Sequence, residues 1–192
     1  MSSGYNLGKR RCSKLSLMFT RKDVENINRI TISTDLSHSE LLFFLIRNAL
    51  EDQSFVYTLQ RRFNTRDQYW VNTVKKKGGL EYTIEPYVVP ENVAYKHIKE
   101  HELLSRQKGP RTEKVDVFFD NEMERKANLL AKALGTKKAT FLCFVALSQV
   151  YSTEVLNYLM EKFNKNPKLS LLPVTINGHT EYQFYEHQNA AF

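Results

Sequence analysis

The sequence has few cysteines and no long apolar run, and these two absences exclude several classes of protein. It holds 2 cysteines in 192 residues, Cys12 and Cys143, too few for a disulfide framework. No apolar stretch approaches the roughly 18 residues of a membrane-spanning helix. The short apolar segment 15–19 is followed by Arg21 and Lys22, so no signal peptide is indicated. We therefore predict a cytoplasmic protein with reduced thiols and no membrane partner.

Signatures of catalysis are equally scarce. The chain contains neither a glycine-rich phosphate loop nor a G-x-S-x-G nucleophile turn. Residues 97–101 have the H-x-x-E-H spelling of a zinc peptidase, but the surrounding segment is strongly charged and supplies no clear third ligand. Cys143 lies in an apolar segment, where burial would blunt its reactivity. We predict a non-enzymatic protein without catalytic residues, metal or cofactor.

The charge of the chain favours a partner that carries phosphates. It has 28 Lys and Arg against 21 Asp and Glu, a net charge of +7, while 42% hydrophobic residues suffice for a packed core. One basic cluster, Lys9, Arg10 and Arg11, stands in an N-terminal segment that also contains glycine and serine. Such an arm would add phosphate contacts or enter a minor groove, so these three residues are candidate DNA contacts.

The hydrophobic period changes twice between residues 114 and 152. Residues 115–119 alternate as in a strand, residues 122–134 place apolar side chains three and four apart as in a helix, and Gly135 separates this helix from an apolar second helix, 138–150. One short strand cannot bury its own face, and the second helix is too apolar to face water. The unit is therefore predicted to pair with a second copy of itself, or with something like it.

This order of elements resembles the ribbon-helix-helix family of DNA-binding proteins, the Arc, MetJ and CopG group. The resemblance implies that two strands pair antiparallel into a ribbon that enters the DNA major groove. By position, it implies three residues facing the groove: Lys114, Asp116 and Phe118. It also implies three residues near phosphate at the start of the second helix: Thr136, Lys137 and Lys138.

A second candidate unit lies in the first half of the chain. Residues 28–35 alternate, with Ile30 and Ile32 on one face and Arg29, Thr31 and Ser33 on the other, and two apolar helices, 41–50 and 55–63, are predicted after them. The polar face would contact bases. Two divergent copies would then pair within one chain as a pseudo-dimer, as in the TraY-like conjugation proteins.

The rest of the chain is divided by turn signals. We predict a basic tail over residues 1–28, an N-terminal region over 29–110 and a C-terminal region over 111–192. The N-terminal region ends with a strand at 80–85, a charged helix at 91–105 and a linker. The C-terminal region ends with a helix, 152–163, and a hairpin at Asn177-Gly178, for which we prefer a three-residue loop that sets Val174 opposite Tyr182. The two-residue alternative sets Val174 opposite Glu181.

Together these patterns predict a mostly helical α+β protein that binds duplex DNA through a paired ribbon. It would act as a homodimer or an internally paired pseudo-dimer, in transcription regulation or as a plasmid, phage or conjugation accessory factor; the mobile-element origin follows from the resemblance alone. Two alternatives stay open. The same fold would serve as a protein-interaction module, with Phe118 covered by a partner or by the C-terminal hairpin, which is itself a candidate partner site. A single-stranded nucleic-acid-binding domain is the third option.

Overall fold

The computed structural model of the protein describes residues 13–64, 69–87, 98, 101, 104, 110–166 and 168–186. In this part of the chain six helices and six strands form a mostly helical α+β fold, as predicted. Their order is β1 (Ser13–Phe19), α1 (Arg21–Thr34), α2 (His38–Glu51), α3 (Gln53–Phe63), β2 (Tyr69–Lys76), β3 (Gly79–Pro86), β4 (Glu113–Phe119), α4 (Asn121–Ala133), α5 (Lys138–Val150), α6 (Thr153–Phe163), β5 (Leu169–Ile176) and β6 (His179–Glu186).

The chain is an internal duplication. A strand, three helices and a hairpin occur twice, and each element of the second set begins 100 residues after its counterpart, since β1 and β4 start at 13 and 113, and β3 and β6 start at 79 and 179. We call residues 13–86 the first half and residues 113–186 the second half. Some residues are identical at equivalent positions, among them Lys14 and Lys114, and Tyr82 and Tyr182.

The two halves meet in an antiparallel ribbon of β1 and β4. Ser16 stands opposite Asp116 at its centre, and the ends pair Ser13 with Phe119 and Phe19 with Glu113. This register is symmetric about its central pair, so a pseudo-twofold axis passes between Ser16 and Asp116. Within the described residues the ribbon has no third strand. The strand predicted at 115–119, and the two helices predicted after it, are confirmed as β4, α4 and α5.

The partner strand is not the predicted one. Residues 28–34, expected as a strand, belong to α1, and β1 comes from residues assigned to a basic tail. A capping box between Thr20 and Asp23 starts α1. Within α1, hydroxyl side chains donate hydrogen bonds to backbone carbonyls of the same helix; Thr31, for example, donates to Asn28 O at 2.9 Å. The β-branched sequence of residues 30–34 favours a strand locally, but burial on one helical face overrides that preference.

The core interlocks the two halves. Helix α2 packs against α5, and each of these helices also lies beneath the strand contributed by the opposite half. Phe43 of α2 contacts Phe119 of β4, with ring centroids 6.2 Å apart. The Cys143 thiol of α5 donates to Met18 O of β1 at 3.2 Å. Residues 141–147 of α5 are all buried, as expected for a helix too apolar to face water.

The hairpins cross between halves as well. The β5–β6 hairpin packs on α1, and the β2–β3 hairpin packs on α4. Asn26 of α1 bonds the edge of β6 twice, because its amide donates to Thr180 O at 3.0 Å and accepts from Tyr182 N at 3.0 Å. In the β2–β3 hairpin, Tyr82 O accepts from the Arg125 guanidinium of α4 at 3.2 Å. Each half thus completes its packing on the other.

The C-terminal hairpin adopts the two-residue turn, so the preferred three-residue register is wrong. Val174 stands opposite Glu181, and Tyr182 stands opposite Pro173. Asn177 and Gly178 have φ values of 51° and 76°, the positive pair that a type I′ turn requires. In this register Leu171 and Tyr182 share a face and are both buried, while Phe184 on the same face is 42% exposed.

Candidate nucleic-acid interface

The outer face of the β1–β4 ribbon collects six side chains. The two strands have the same pattern of burial, in which every second residue faces the core. The alternate residues face outward, and we call them the ribbon face: Lys14, Ser16, Met18, Lys114, Asp116 and Phe118. Met18 and Phe118 are 40% and 43% exposed, a large fraction for apolar side chains. The predicted outward orientation of Lys114, Asp116 and Phe118 agrees with this geometry.

Cross-strand pairing makes the two ends of the ribbon face chemically alike. Lys14 stands opposite Phe118 at one end, and Lys114 stands opposite Met18 at the other. Each end therefore presents one lysine and one large apolar side chain. Directly opposed side chains on one face lie about 5 Å apart at Cβ, close enough to contact one target together.

The centre of the ribbon face is an ion-pair network around Asp116. Its carboxylate accepts from the Ser16 hydroxyl at 2.6 Å and from Lys14 Nζ at 2.7 Å, and Lys114 Nζ lies 3.7 Å away. The hydrogen bond from Lys14, followed by that from Ser16, lowers the pKa of Asp116 below its ordinary value. Asp116 is therefore ionised at neutral pH, and the network holds both lysines near the centre of the ribbon.

The second helices begin at corresponding positions of the two halves. Helix α5 starts at Lys138, and its N-cap, Lys137, makes no side-chain cap hydrogen bond. Lys137 is exposed and Thr136 is half-buried, while Lys138 bonds Glu124 at 2.5 Å. That hydrogen bond is the main reason why the pKa of Glu124 is lowered. In the first half, Ser37 caps α2 through a capping box with Glu40.

Three predicted base contacts lie away from the ribbon. Arg29, Thr31 and Ser33 are in α1, and Ser33 is buried with its hydroxyl donating to Arg29 O at 3.1 Å. The prediction that they read bases from a strand is wrong, because no strand forms there. The residues missed were Lys14, Ser16 and Met18. The signal was in the sequence, since 14–19 repeats the alternation of 114–119, but these residues were assigned to a tail.

The basic cluster and the possible zinc motif are only partly described. Lys9, Arg10 and Arg11 lie outside the described residues, and so do His97 and Glu100. His101 packs against the rings of Phe63 and Phe144, with centroids 5.5 and 5.0 Å away. Among the residues whose positions the structure gives, no three potential metal ligands cluster.

Cys143 and the cleft beside α3 offer little for catalysis. Burial raises the pKa of the Cys143 thiol to about 11, which disfavours the thiolate that a nucleophile requires. A cleft of about 570 Å³ lies between α3 and β2, and the described residues that line it include no carboxylate, histidine, cysteine or lysine. Its aromatic wall is formed by Tyr57 and Trp70, whose rings meet edge to face at 5.8 Å.

Comparison of the chain with protein-family models, with curated proteins and with solved structures found no match. Across the described residues, no single helix is long and apolar enough to cross a membrane. Helices α5 and α6 together reach that length and composition, but they are bent by 72° at the break between them.

Proposed function

We propose that this protein binds duplex DNA without catalysis by laying the β1–β4 ribbon in the major groove. The observation that carries the proposal is the register of the ribbon, in which Ser16 pairs with Asp116 and two equivalent strands expose one polar face about a pseudo-twofold axis. This is the arrangement that the resemblance to ribbon-helix-helix proteins implies. Here one chain supplies both strands, so we propose an internally paired pseudo-dimer as the binding unit.

The dimensions of the ribbon suit the groove. A major groove is about 12 Å wide and admits a two-stranded ribbon. From residue 14 to residue 18 the ribbon face extends about 13 Å at the usual rise of a strand. That length corresponds to about four base-pair steps. Lys14 and Lys114 belong to the ends of the ribbon face, and their long side chains would leave Asp116 to bond guanine. The apolar side chains beside them would contact thymine methyl groups.

Phosphate contacts would flank the ribbon. The N-terminus of α5 has no side-chain cap and carries the exposed Lys137 beside it. Free N–H groups at a helix start favour an anion, so Thr136, Lys137 and Lys138 remain candidate phosphate contacts. The net charge of +7 would strengthen binding to any duplex and make it dependent on salt. Promoter regulation and accessory work at plasmid, phage or conjugation sites in the cytoplasm all use this activity.

The test is a fluorescence-anisotropy titration of labelled duplex and single-stranded DNA across a salt series. We expect the duplex to bind more tightly, with log affinity falling linearly as log salt rises. The variant Lys14→Ala/Lys114→Ala should lose about tenfold or more in affinity for a selected duplex. Lys75→Ala/Lys77→Ala, which removes two exposed lysines at the end of the β2–β3 hairpin, is the matched control and should change that affinity by less than about threefold.

A different result would decide against duplex binding. If duplex affinity is absent or independent of salt, the proposal fails. If the lysine variants on the ribbon and on the β2–β3 hairpin behave alike, the ribbon is not the contact surface. Preference for the single strand would instead favour the stacking mode of single-stranded binding proteins.

A protein-interaction module is the second candidate, and one observation favours it. Met18 and Phe118 remain exposed on the ribbon face, where a protein partner would bury them. The C-terminal hairpin does not cover Phe118, because it packs on α1. This candidate predicts that Phe118→Ser abolishes binding of a protein partner and that duplex DNA does not compete. Analytical sedimentation in the presence and absence of duplex would separate the two functions.

A further inference from the structure

We propose that the DNA site is a near-palindrome whose symmetry is broken at its centre, and that Asp116 is the residue that breaks it. The inference deepens the proposed function and rests on it. It concerns which base pairs the ribbon distinguishes and which side chain of this chain decides the central one.

The flanks of the site follow from the ends of the ribbon. Pseudo-twofold symmetry relates Lys14 to Lys114 and Met18 to Phe118, so the same two kinds of side chain recur on both sides of the axis. A lysine favours the acceptors of guanine, and an apolar side chain favours the methyl group of thymine. Equivalent side chains placed by twofold symmetry read equivalent bases on opposite strands. The two flanks of the site are therefore inverted copies of each other.

The centre of the ribbon does not obey this symmetry. Ser16 and Asp116 occupy equivalent positions and face each other across the axis, yet one is a neutral hydroxyl and the other a carboxylate. A hydroxyl donates or accepts and so tolerates either groove edge, whereas an ionised carboxylate only accepts. Among base edges in the major groove, a carboxylate pairs with the amino group of cytosine. Cytosine is thus expected on the Asp116 side of the centre.

Asp116 retains the capacity for this contact. Its two oxygens offer about four acceptor positions. Ser16 and Lys14 bond one oxygen each, at 2.6 and 2.7 Å, and Lys114 Nζ lies 3.7 Å from Oδ1. The side chain is 31% exposed, so part of the carboxylate is accessible to solvent. The neighbouring lysines also offset the repulsion between this carboxylate and DNA phosphates.

The experiment is selection of bound sequences from a randomised duplex pool by the full chain and by two variants. Asp116→Ser makes the two central residues identical and keeps the same residues at the ends, while it releases Lys14 and Lys114 from their ion pairs with the carboxylate. Met18→Phe is the matched control, because it makes the apolar ends identical and leaves the centre unchanged. Both positions are at least partly exposed, and thermal unfolding would verify that each variant folds.

The expected outcomes differ among the three proteins. The native chain should select related flanks around an asymmetric centre with cytosine on one strand. Met18→Phe should keep that asymmetry, and Asp116→Ser should select a centre that reads alike on both strands. Replacing the central cytosine pair in the native site should weaken binding by the native chain about tenfold and binding by Asp116→Ser by less than threefold.

Two results would overturn the inference, and they are distinguishable. If the native chain binds duplex DNA but its selected centre is symmetric, or is unchanged in Asp116→Ser, Asp116 does not read the centre while the proposed function stands. If no duplex binds in the anisotropy titration at any salt concentration, the proposed function fails together with the inference.

Discussion

Asn26 and Lys126 occupy equivalent positions on α1 and α4, yet the two halves stabilise them differently. Lys126 is fully buried, and its Nζ contacts the carboxylates of Glu51 and Glu122, the latter at 2.8 Å. At the equivalent contact, Asn26 takes the place of the lysine and Tyr151 takes the place of Glu51, and the Asn26 amide donates to the Tyr151 hydroxyl at 3.3 Å. That hydroxyl donates in turn to the Asp23 carboxylate at 2.7 Å. Both contacts join the two halves, one through a buried ion pair and the other through a chain of hydrogen bonds.

This difference yields a prediction for Glu51. Glu51→Ala removes a carboxylate from a buried lysine and also from the Leu80 N–H, which Glu51 accepts at 2.6 Å. We expect the free energy of unfolding to fall by about 2–3 kcal/mol, because a buried charge that loses a partner is costly and Glu122 compensates only in part. Urea denaturation would measure it.

The matched double variant separates charge from packing. Glu51→Ala/Lys126→Met removes both charges, so its loss of stability should be smaller than that of Glu51→Ala alone. Equal or larger losses in the double variant would mean that the ion pair is not what stabilises this position. Spacing alone hints at this burial, since Lys126 follows Met123 by three residues on the apolar stripe of α4, but a lone lysine is ordinarily exposed.

At the scale of elements, local preference and tertiary packing disagree in α1 and agree in β4. The alternation of β4 is unambiguous because its lysine and aspartate separate apolar residues. In α1, residues 30–34 are mostly β-branched or hydroxylic, and their alternation suggests a strand. The buried side chains of α1 nevertheless recur at helical spacing. The capping box at Thr20 and Asp23 was the better indicator. Boundary signals can therefore outweigh a run of β-branched residues.

The hairpin turns offer a prediction with an internal control. Gly178 has a φ of 76° and open space around its Cβ direction, so Gly178→Ala would be strained by backbone conformation alone. We expect it to lower the free energy of unfolding by about 1 kcal/mol. Gly78, the equivalent residue, has no such φ and also faces open space.

Gly78→Ala should therefore cost nothing measurable, or stabilise slightly by restricting the unfolded chain. Thermal unfolding of the two variants side by side would measure the difference. Equal effects would show that the second hairpin does not depend on the positive φ of its turn.

At the scale of the whole molecule, the halves are not independent domains. Each second helix lies beneath the opposite strand, and each hairpin packs on the opposite first helix. The need for a second copy followed from the sequence, because one short strand and an apolar helix cannot bury themselves. The segment that supplies this copy was harder to predict. Residues 13–19 follow a basic cluster, and this basic character favoured a tail over a strand. The packing of each hairpin on the opposite half depends on contacts between segments distant in the sequence, so no local pattern predicts it.

This interlocking predicts how fragments behave. A fragment of residues 111–192 lacks β1, α1 and α2, so it should not form a stable folded monomer. We expect it to be unfolded or to self-associate through β4, and mixing it with residues 1–110 should restore helical structure. Sedimentation and circular dichroism would measure both effects. A stable folded monomer of 111–192 would contradict the account of the ribbon.

Because both halves lie in one chain, 100 residues apart, their pairing does not depend on protein concentration. Separate chains that must associate before they act lose their partner on dilution, whereas a tethered mate stays at high effective concentration regardless of how many molecules are present. Occupancy of a target should therefore rise in simple proportion at low protein levels, without the lag of an assembly step.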